Sequence, residues 1–398
     1  MTRVLSPAAA RGCVAAVPSK SDAHRLLIVS ALAGAPGEVP AANEDIRATA
    51  DCLRALLGPG EPRAADCGES GSTLRFLLPV AAALGLEVTF TGGGRLPERP
   101  LEPLLSLLRA RGCALSAERL PLRISGRLRA GEYILAGGVS SQYITGLLFA
   151  LPLLAGESRI CLTSPLESAG YVQMTLRTLA RFGIEIAAVR DGWAVPGGQT
   201  YRIPDAVPAP EGCWSSAAAL LAAGALAGEV TVAGLDPFSA QPDRAVLDLL
   251  RAMGAGADGC TVRQARLRGI TMDAADCPDL VPVMAAVMAL AEGESRIVGA
   301  GRLRLKESDR LRAMAENLTI LGADVTELPD GLAIRGRETL RGGAVDSRND
   351  HRIAMAMAVA ALRCEGPVTL VGAETVRKSY PAFWEDYSQL LTSKYLKN

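Results

Sequence analysis

The hydrophobic and polar positions of this chain repeat one pattern: a short polar segment, a helix-length apolar run, a glycine and then a β-branched residue. A polar cap before an apolar run predicts a helix, and the residues after the glycine predict a strand. We find six copies of the pattern along the chain. Their apolar runs are Leu26 to Ala33, Leu77 to Leu84, Ile144 to Leu154, Ala217 to Leu226, Val281 to Leu290 and Ile353 to Leu362. In the first copy, the break from Gly34 to Gly37 precedes a strand that we expect to begin at Val39.

A second, amphipathic helix alternates with the first at intervals of roughly 70 residues. Its four copies end at the glycines Gly112, Gly183, Gly254 and Gly322. Glycine is favoured there because the residue that ends a helix is often left-handed. The alternation predicts an α/β protein with two similar halves.

Prolines mark the places where these predictions are weakest. Pro79, Pro152 and Pro282 lie inside apolar runs, and an interior proline costs a helix about 3 kcal/mol outside its first turn. Three prolines between Ile203 and Pro210 indicate a linker between the halves.

Length and composition narrow the class of protein. A chain of 398 residues, 49% of them hydrophobic, is long enough for two domains. A formal net charge of zero argues against the basic surface of a nucleic-acid or membrane-surface protein. We therefore expect a protein that binds neither nucleic acid nor membrane.

Cysteines and histidines bear on location and cofactors. The nine cysteines are scattered without a C-x-x-C pair, which is typical of reduced thiols in a cytoplasmic protein. The N-terminal segment is interrupted by Arg3, Pro7 and Arg11, unlike a signal peptide. Two distant histidines give no metal-ligand spacing, and no phosphate-binding glycine motif is present. We expect no metal and no cofactor.

The polar caps carry the candidate chemistry. A helix N-terminus attracts anions through its unpaired N–H groups and its dipole, although any single cap is more often only a cap. Here the caps recur with cations at the ends of elements, and the carboxylates Asp279 and Glu307 lie among them. The cations are Lys20, Arg25, Arg75, Arg99, Lys306, Arg310, Arg352 and Lys378.

Two pairs of like charges strengthen the prediction of bound anions. Lys306 and Arg310 are spaced i, i+4, as are Arg348 and Arg352, and on one helix face each pair would repel until an anion bound. The alternative is an ordinary i, i+3 pair between Glu307 and Arg310. Together the cations and carboxylates predict a site for two anionic substrates with groups available for proton transfer.

These motifs, in this order, resemble the family of 5-enolpyruvylshikimate-3-phosphate synthases over nearly the whole chain. The residues that carry the resemblance are Ser19-Lys20-Ser21 with Arg25, Gly71 to Arg75, Glu98-Arg99-Pro100, Ser140-Ser141-Gln142, Pro278-Asp279, Lys306 to Arg310, Asn349 to Arg352, and Lys378. The resemblance implies a two-domain inside-out α/β barrel fold, each domain with three βαβαββ repeats and the substrates in a cleft between them. The implied domains are residues 19–209 and residues 1–18 with 210–398.

The resemblance also implies a reaction and its residues. The enolpyruvyl group of phosphoenolpyruvate passes to the 5-hydroxyl of shikimate 3-phosphate, and phosphate is released. Asp279 would accept the hydroxyl proton, Glu307 would protonate the methylene carbon, and Lys20 would lie close to both substrates. The residues implied to bind phosphoenolpyruvate are Lys20, Gly71, Arg99, Gln142, Arg310, Arg352 and Lys378. Those implied to bind shikimate 3-phosphate are Lys20, Ser21, Arg25, Ser140, Ser141, Gln142, Ser164, Asp279 and Lys306. We expect a monomer whose partners are these small molecules.

Some positions depart from the family pattern. The departures are Arg302 in place of asparagine, Phe76 in place of proline, Pro97 in place of lysine and Cys213 in place of aspartate. They bear on the affinity for substrates and on the response to inhibitors.

One alternative function is that of the sister transferase, which acts on UDP-N-acetylglucosamine. That enzyme carries a cysteine in a loop that here, from Thr91 to Pro100, has none. The other alternative is a non-catalytic anion-binding protein on the same scaffold.

Overall fold

Strands and helices alternate along the chain in a recurring order. The computed structural model describes residues 1–35, 43–60 and 63–392. The expected break at Gly37 and the strand expected at Val39 lie outside the described residues. The helices are α1 Lys20–Leu32, α2 Glu44–Leu57, α3 Gly71–Leu84, α4 Leu104–Ala110, α5 Ser141–Ala150, α6 Ala169–Arg181, α7 Trp214–Ala227, α8 Val246–Ala252, α9 Val281–Met288, α10 Arg310–Ile320, α11 His351–Ala361 and α12 Phe383–Leu390.

Short strands separate these helices. In order they are β1 Thr2–Leu5, β2 Ala9–Ala15, β3 Arg63–Asp66, β4 Val88–Thr91, β5 Cys113–Leu115, β6 Leu122–Gly126, β7 Glu132–Leu135, β8 Ser158–Leu162, β9 Ala187–Val189, β10 Gly192–Val195, β11 Gly228–Ala233, β12 Gly256–Asp258, β13 Thr261–Arg263, β14 Thr271–Asp273, β15 Glu294–Val298, β16 Asp324–Leu328, β17 Gly331–Arg335, β18 Gly343–Asp346, β19 Val368–Val371 and β20 Leu391–Thr392.

The sheets show the internal repeat directly. In the sheet β3-β4-β6-β5, β3 is parallel to β4, and the later contacts are antiparallel. The same order recurs in β7-β8-β10-β9, β14-β15-β17-β16 and β2-β11-β13-β12, to which β20 adds an edge strand. With their helices, these are four copies of a βαβαββ unit within the described residues. The predicted α/β repeat is thereby seen in the strand order itself.

The chain divides into two compact units. One consists of Lys20–Pro210, and the other combines Met1–Ser19 with Glu211–Asn398. The N-terminal strand β2 belongs to the second unit because it lies parallel to β11, with Ala10 opposite Gly228. The chain leaves and re-enters that unit at one point, where Ser19 N donates to the carbonyl oxygen of Glu211 at 2.7 Å.

The apolar helices form the core of each unit. In unit Lys20–Pro210, α1, α3 and α5 are buried along almost their whole length. Helices α7, α9 and α11 are buried in the same way in the other unit. Helices α3 and α5 approach closely at Gly146, where a side-chain carbon would lie 2.3 Å from the carbonyl oxygen of Arg75. The amphipathic helices lie outside this core and present one face to it.

The prolines behave in three different ways. Pro79 lies inside α3, which continues to Leu84. Helix α5 ends before Pro152, and a 3₁₀ turn, Leu151–Leu153, follows. Pro282 is the second residue of α9, in the first turn, where its missing N–H would have no partner in the helix.

The glycines predicted to end the amphipathic helices do so. Gly112, Gly183, Gly254 and Gly322 have φ angles of 101°, 76°, 102° and 85°. This left-handed backbone strains any other residue type. In the described parts of the chain, no helix is long and apolar enough to cross a membrane.

Candidate active site

Arg310, the first residue of α10, is the centre of a charged cluster in the unit that contains the N-terminus. Its side chain is 2% exposed and contacts three carboxylates. Nη1 lies 2.8 Å from Asp279 Oδ1, Nη2 lies 3.0 Å from Glu307 Oε2, and Nε lies 2.7 Å from Asp350 Oδ2. Burial alone would lower the pKa of this guanidinium, but Asp350, Glu307 and Asp279 outweigh burial and raise it. Arg310 is therefore a permanent buried cation.

Asp279 is held by cations on both oxygens. It lies in a 3₁₀ turn, Pro278–Leu280, directly before α9. Its Oδ2 is 3.2 Å from Arg352 Nη2, and its Oδ1 is 3.9 Å from Lys306 Nζ as well as close to Arg310. Burial raises the pKa of the Asp279 carboxyl, but Arg352, Lys306 and Arg310 together bring it well below its usual range. The group is an ionised carboxylate.

Asp350 holds both the Arg310 guanidinium and the N-terminus of α11 in place. It is fully buried and caps α11 by accepting the backbone N–H of Arg352 at 2.9 Å. Ser308 Oγ also donates to it at 3.0 Å. Because Asp350 satisfies both a helix terminus and a buried guanidinium, it joins the ends of α10 and α11 into one site.

Arg352 and Lys378 complete this cluster. Arg352 Nη1 donates to the carbonyl oxygen of Ser215 at 2.9 Å. Its Nε is buried and has no hydrogen-bond partner among the described residues. Lys378 Nζ donates to the carbonyl oxygen of Asn349 at 3.0 Å, next to the N-terminus of α11. An anion bound next to Arg352 would be close to this unsatisfied N–H donor.

The predicted like-charge helix pairs are wrong. Helix α10 begins at Arg310 because Asp309 caps it, so Lys306 precedes the helix. Helix α11 begins after the cap Asp350, so Arg348 precedes it and pairs with Glu316 at 2.9 Å. Neither pair shares a helix face, and repulsion along a helix is no argument for an anion. Carboxylates bring the cations together instead.

In unit Lys20–Pro210, Lys20 is the first residue of α1. Its Nζ lies 2.8 Å from Asp45 Oδ2 on α2, and its side chain is 19% exposed. The sequence pattern treated residues 18–25 as a cap before the helix, whereas α1 already starts at Lys20. Ser21 and Arg25 are therefore helical residues of the first two turns.

The N-terminus of α3 is surrounded by donors. Ser70 caps the helix by accepting from Thr73 N, and Gly71 follows it. A side-chain carbon on Gly71 would lie 2.7 Å from Arg99 Nη1 and 2.5 Å from Arg75 Nη1, so a larger residue would displace both guanidinium groups. Arg99 Nε is buried without a hydrogen-bond partner in the part of the chain that the structure describes. This combination of a helix terminus and two guanidinium groups suits an anion.

Gln142 lies against the same helix terminus. Its Oε1 accepts from Arg75 Nη1 at 2.9 Å, and its Nε2 donates to Ser72 Oγ at 2.9 Å. Arg75 Nη2 in turn donates to the carbonyl oxygen of Pro100 at 3.0 Å. These bonds tie α3, α5 and the loop that carries Arg99 together.

The remaining residues predicted to bind shikimate 3-phosphate lie at several separate places in unit Lys20–Pro210. Arg25 is buried, with Nε 2.9 Å from Thr175 Oγ1 and Nη2 2.7 Å from the carbonyl oxygen of Tyr171, and burial lowers its pKa to about 10. Ser140 caps α5, where Ser141 is the first residue. Ser164 Oγ accepts the N–H of Gly137 at 3.0 Å. Arg25 thus holds helices together in this structure.

The departures from the family pattern have plain structural surroundings. Arg302 Nη2 donates to the carbonyl oxygen of Ala275 at 2.7 Å. Phe76 lies in the core, edge-on to His24 and with the Arg25 guanidinium over its ring. Cys213 is buried and caps α7 through its sulfur, as expected for a buried thiol. Pro97 lies in a 3₁₀ turn, Leu96–Glu98.

Sequence reasoning missed two carboxylates. Asp45 holds Lys20, and Asp350 holds Arg310. Both were visible as acidic residues inside polar segments. Their partners lie 25 and 40 positions away in the chain, and no local spacing predicts such pairs.

Comparison with known proteins first defines the class. The crystal structure of the enolpyruvyl transferase NikO from Streptomyces tendae matches with a TM-score of 0.76 over 98% of this chain and 97% of that one, at 18% identity, and shows the fold. An EPSP synthase structure from Acinetobacter baumannii matches with a TM-score of 0.79 at 26% identity over 98% of each chain. The fold is thus that of the enolpyruvyl transferases. The expected two-domain α/β architecture is confirmed, while closure of each domain into a barrel stays a prediction.

Sequence comparison then gives the family. A family model described as EPSP synthase (3-phosphoshikimate 1-carboxyvinyltransferase) matches residues 5–387. A 3-phosphoshikimate 1-carboxyvinyltransferase of Clostridium acetobutylicum is 42% identical over 97% of this chain and 96% of its own length. The chain belongs to the EPSP synthase family, as its motifs predicted.

Proposed function

We propose that this protein transfers the enolpyruvyl group of phosphoenolpyruvate to the 5-hydroxyl of shikimate 3-phosphate and releases phosphate. Family membership supports the reaction. The observation that carries it is the pair of carboxylates, Asp279 and Glu307, held on the buried cation Arg310. These carboxylates hold the cations in place, but their charge also opposes an anionic ligand, which favours a role in proton transfer over binding alone.

Proton transfer is assigned to these two carboxylates. The ionised Asp279 accepts the proton of the 5-hydroxyl. Glu307 donates a proton to the methylene carbon while the 5-hydroxyl oxygen bonds to the neighbouring carbon, so it has to be protonated when it acts. When phosphate leaves that carbon, Glu307 takes a proton back from the new methyl group, which restores the enolpyruvyl double bond. When the donor's carboxylate binds Arg310 and Arg352, Asp279 loses part of the cationic field that keeps it ionised. Binding of the donor therefore raises the proton affinity of Asp279, which suits its role as the base.

Phosphoenolpyruvate is assigned to a set of cations and hydrogen-bond donors. The residues proposed to bind it are Lys20, Gly71, Arg99, Gln142, Arg310, Arg352 and Lys378. The unpartnered buried Nε groups of Arg99 and Arg352 support two of these assignments, since a buried N–H is rarely left without an acceptor.

Shikimate 3-phosphate is assigned to a second set of side chains. They are Lys20, Ser21, Arg25, Ser140, Ser141, Gln142, Ser164, Asp279 and Lys306. The half-buried hydroxyls of Ser140 and Ser141 at the start of α5 and the ammonium of Lys20 offer donors for a phosphate. Arg25, whose guanidinium is bonded to Thr175 and Tyr171, contributes mainly by fixing α1.

We further propose that residues 19–209 and residues 1–18 with 210–398 are the two domains of this enzyme. The two compact units support this division. The nine free cysteines support a cytoplasmic location, and we expect a monomer.

The test is release of phosphate from phosphoenolpyruvate with either of two acceptors. We expect release with shikimate 3-phosphate and none with UDP-N-acetylglucosamine. Release only with the latter would keep the donor but overturn the acceptor. Release with neither, from folded protein that binds both ligands, would indicate a non-catalytic anion-binding protein.

A further inference from the structure

A chain of buried hydrogen bonds joins α1, α2 and α3 in unit Lys20–Pro210. His24 Nδ1 lies 2.7 Å from Thr49 Oγ1, which lies 2.6 Å from Thr73 Oγ1. Thr73 Oγ1 donates to Ser70 Oγ at 2.7 Å. All four residues are at most 1% exposed. One connected line of polar atoms therefore crosses an otherwise apolar core.

The line reaches the N-terminus of α3 at one end and α1, the helix that carries Lys20, at the other. Ser70 is the cap of α3, and Gly71 is the first residue of that helix. His24 lies one turn after Lys20 on α1. Lys20 is bonded to Asp45, whose carbonyl oxygen lies 3.3 Å from Thr49 Oγ1 and 3.5 Å from Thr73 Oγ1. The line thus joins α1, which carries Lys20, to the N-terminus of α3, and Asp45 links the Lys20 ammonium to the same two threonines.

Packing alone does not account for a polar chain at this place. Apolar side chains of the same shape would fill the core with no polar group to satisfy. His24 Nε2 is buried and has no hydrogen-bond partner in the ranges that the structure describes. Burial, with smaller contributions from Lys20 and Arg25, lowers the pKa of the imidazole well below its ordinary value, so the ring is neutral. The fold thus retains a buried imidazole, which costs stability, and the hydrogen bond of this ring to Thr49 is directional.

The next residue anchors α1 to a different neighbour. Arg25 bonds to Thr175 on α6, and Thr175 Oγ1 lies 3.0 Å from Thr145 Oγ1 on α5. Arg25 therefore holds α1 against α6, while the His24 bond holds it against α2. Loss of the His24 bond would leave the contact with α6 in place.

We propose that His24 is a positioning residue which acts through Thr49 and Thr73 to hold the N-terminus of α3 at a fixed distance from Lys20. The donor phosphate needs both groups at once, and a small displacement of one weakens binding to the pair. This inference rests on the proposed roles of Lys20 and Gly71 in binding phosphoenolpyruvate.

The test uses variants that break the line at two places. Thr49→Val keeps the shape of the side chain and removes the hydroxyl, and His24→Leu removes the imidazole. His24→Asn restores a polar group near the position of Nδ1. Thr178→Val is the matched control, because Thr178 is a buried threonine whose hydroxyl bonds to the carbonyl oxygen of Met174 within its own helix. For each variant we would measure the KM of both substrates, kcat and Tm, and determine the Kd of phosphoenolpyruvate by calorimetry.

We expect Thr49→Val and His24→Leu to raise the KM and Kd of phosphoenolpyruvate by about tenfold, a loss of about 1.4 kcal/mol. The KM of shikimate 3-phosphate should change less than about twofold, since the displaced α3 terminus carries Gly71, which is assigned to the donor alone, and Arg25 still holds α1 against α6. His24→Asn and Thr178→Val should stay close to the wild-type protein. If one of the first two variants does not fold, the other carries the test.

Other outcomes would overturn the proposal. An unchanged donor KM in the folded variants, or an equal loss for both substrates, would leave the line with a structural role only. A lowered Tm with unchanged KM values would mean the same. If the wild-type protein binds phosphoenolpyruvate but releases no phosphate, the proposed function fails while the Kd values still decide the role of His24. If it binds no phosphoenolpyruvate, both proposals fail.

Discussion

At the scale of single residues, the sharing of Arg310 among three carboxylates determines how a substrate anion can bind. Asp350 is fully buried and is also bonded to Ser308 and to the start of α11, so it stays in place. Asp279 and Glu307 have side chains 22% and 18% exposed. An incoming carboxylate can therefore replace either of them on the guanidinium. The displaced group then holds a proton more readily, because a cation no longer stabilises its charge.

The substitution Asp279→Asn tests the assigned base. It keeps the size of the side chain and removes the proton acceptor, so kcat should fall by about 100-fold or more. Binding of shikimate 3-phosphate should be largely retained, since an amide still accepts a hydrogen bond. Initial rates of phosphate release and the Kd of the acceptor provide the measurement. Asp258→Asn, at an exposed position on β12, is the control, and near-normal turnover of Asp279→Asn would remove Asp279 from the mechanism.

At the scale of helices and strands, the sequence predicts the existence of helices more accurately than their first residues. A capping oxygen accepts the N–H two or three residues later, so the helix starts directly after the cap. Where several Ser and Asp residues follow one another, local pattern does not choose among them. Asp309 is the cap of α10, which is why Lys306 is outside the helix. The C-terminal glycines were predictable because only glycine takes the required backbone without strain.

The close contact of α3 and α5 at Gly146 gives a prediction for stability. In Gly146→Ala the new carbon would lie 2.3 Å from the carbonyl oxygen of Arg75, so α5 has to shift. Overpacking of this kind costs about 1–3 kcal/mol, which outweighs the better helix propensity of alanine. We expect thermal unfolding to begin several degrees lower. Gly93→Ala is the control, because a carbon there meets no atom within 4 Å, and equal Tm values for the two variants would contradict the argument.

At the scale of the whole molecule, the repeated pattern predicted the α/β architecture because hydrophobic periodicity is a local property. Pairing between distant segments is not local. Only the family resemblance assigned residues 1–18 to the second domain, and the structure pairs β2 with β11, more than 200 residues later. The same limit applies to the site, where the cations, Asp279 and Glu307 were named from the sequence, but Asp45 as the partner of Lys20 and Asp350 as a partner of Arg310 were not.

Acid unfolding tests whether the Asp279 cluster contributes to the stability of the whole chain. The folded-state pKa of Asp279 lies below that of the unfolded chain, so its contribution is complete above the unfolded value and is lost as pH falls toward the folded one. With an unfolded pKa near 3.9, about 0.7 kcal/mol of this contribution should be lost by pH 3.5. The difference in unfolding free energy between the wild-type protein and Asp279→Asn should therefore be constant from pH 7 to pH 5 and smaller at pH 3.5. Urea unfolding of both proteins at these pH values measures it, with Asp258→Asn as control. A difference that grows toward acid would show that Asp279 is not held ionised by Arg310 and Arg352.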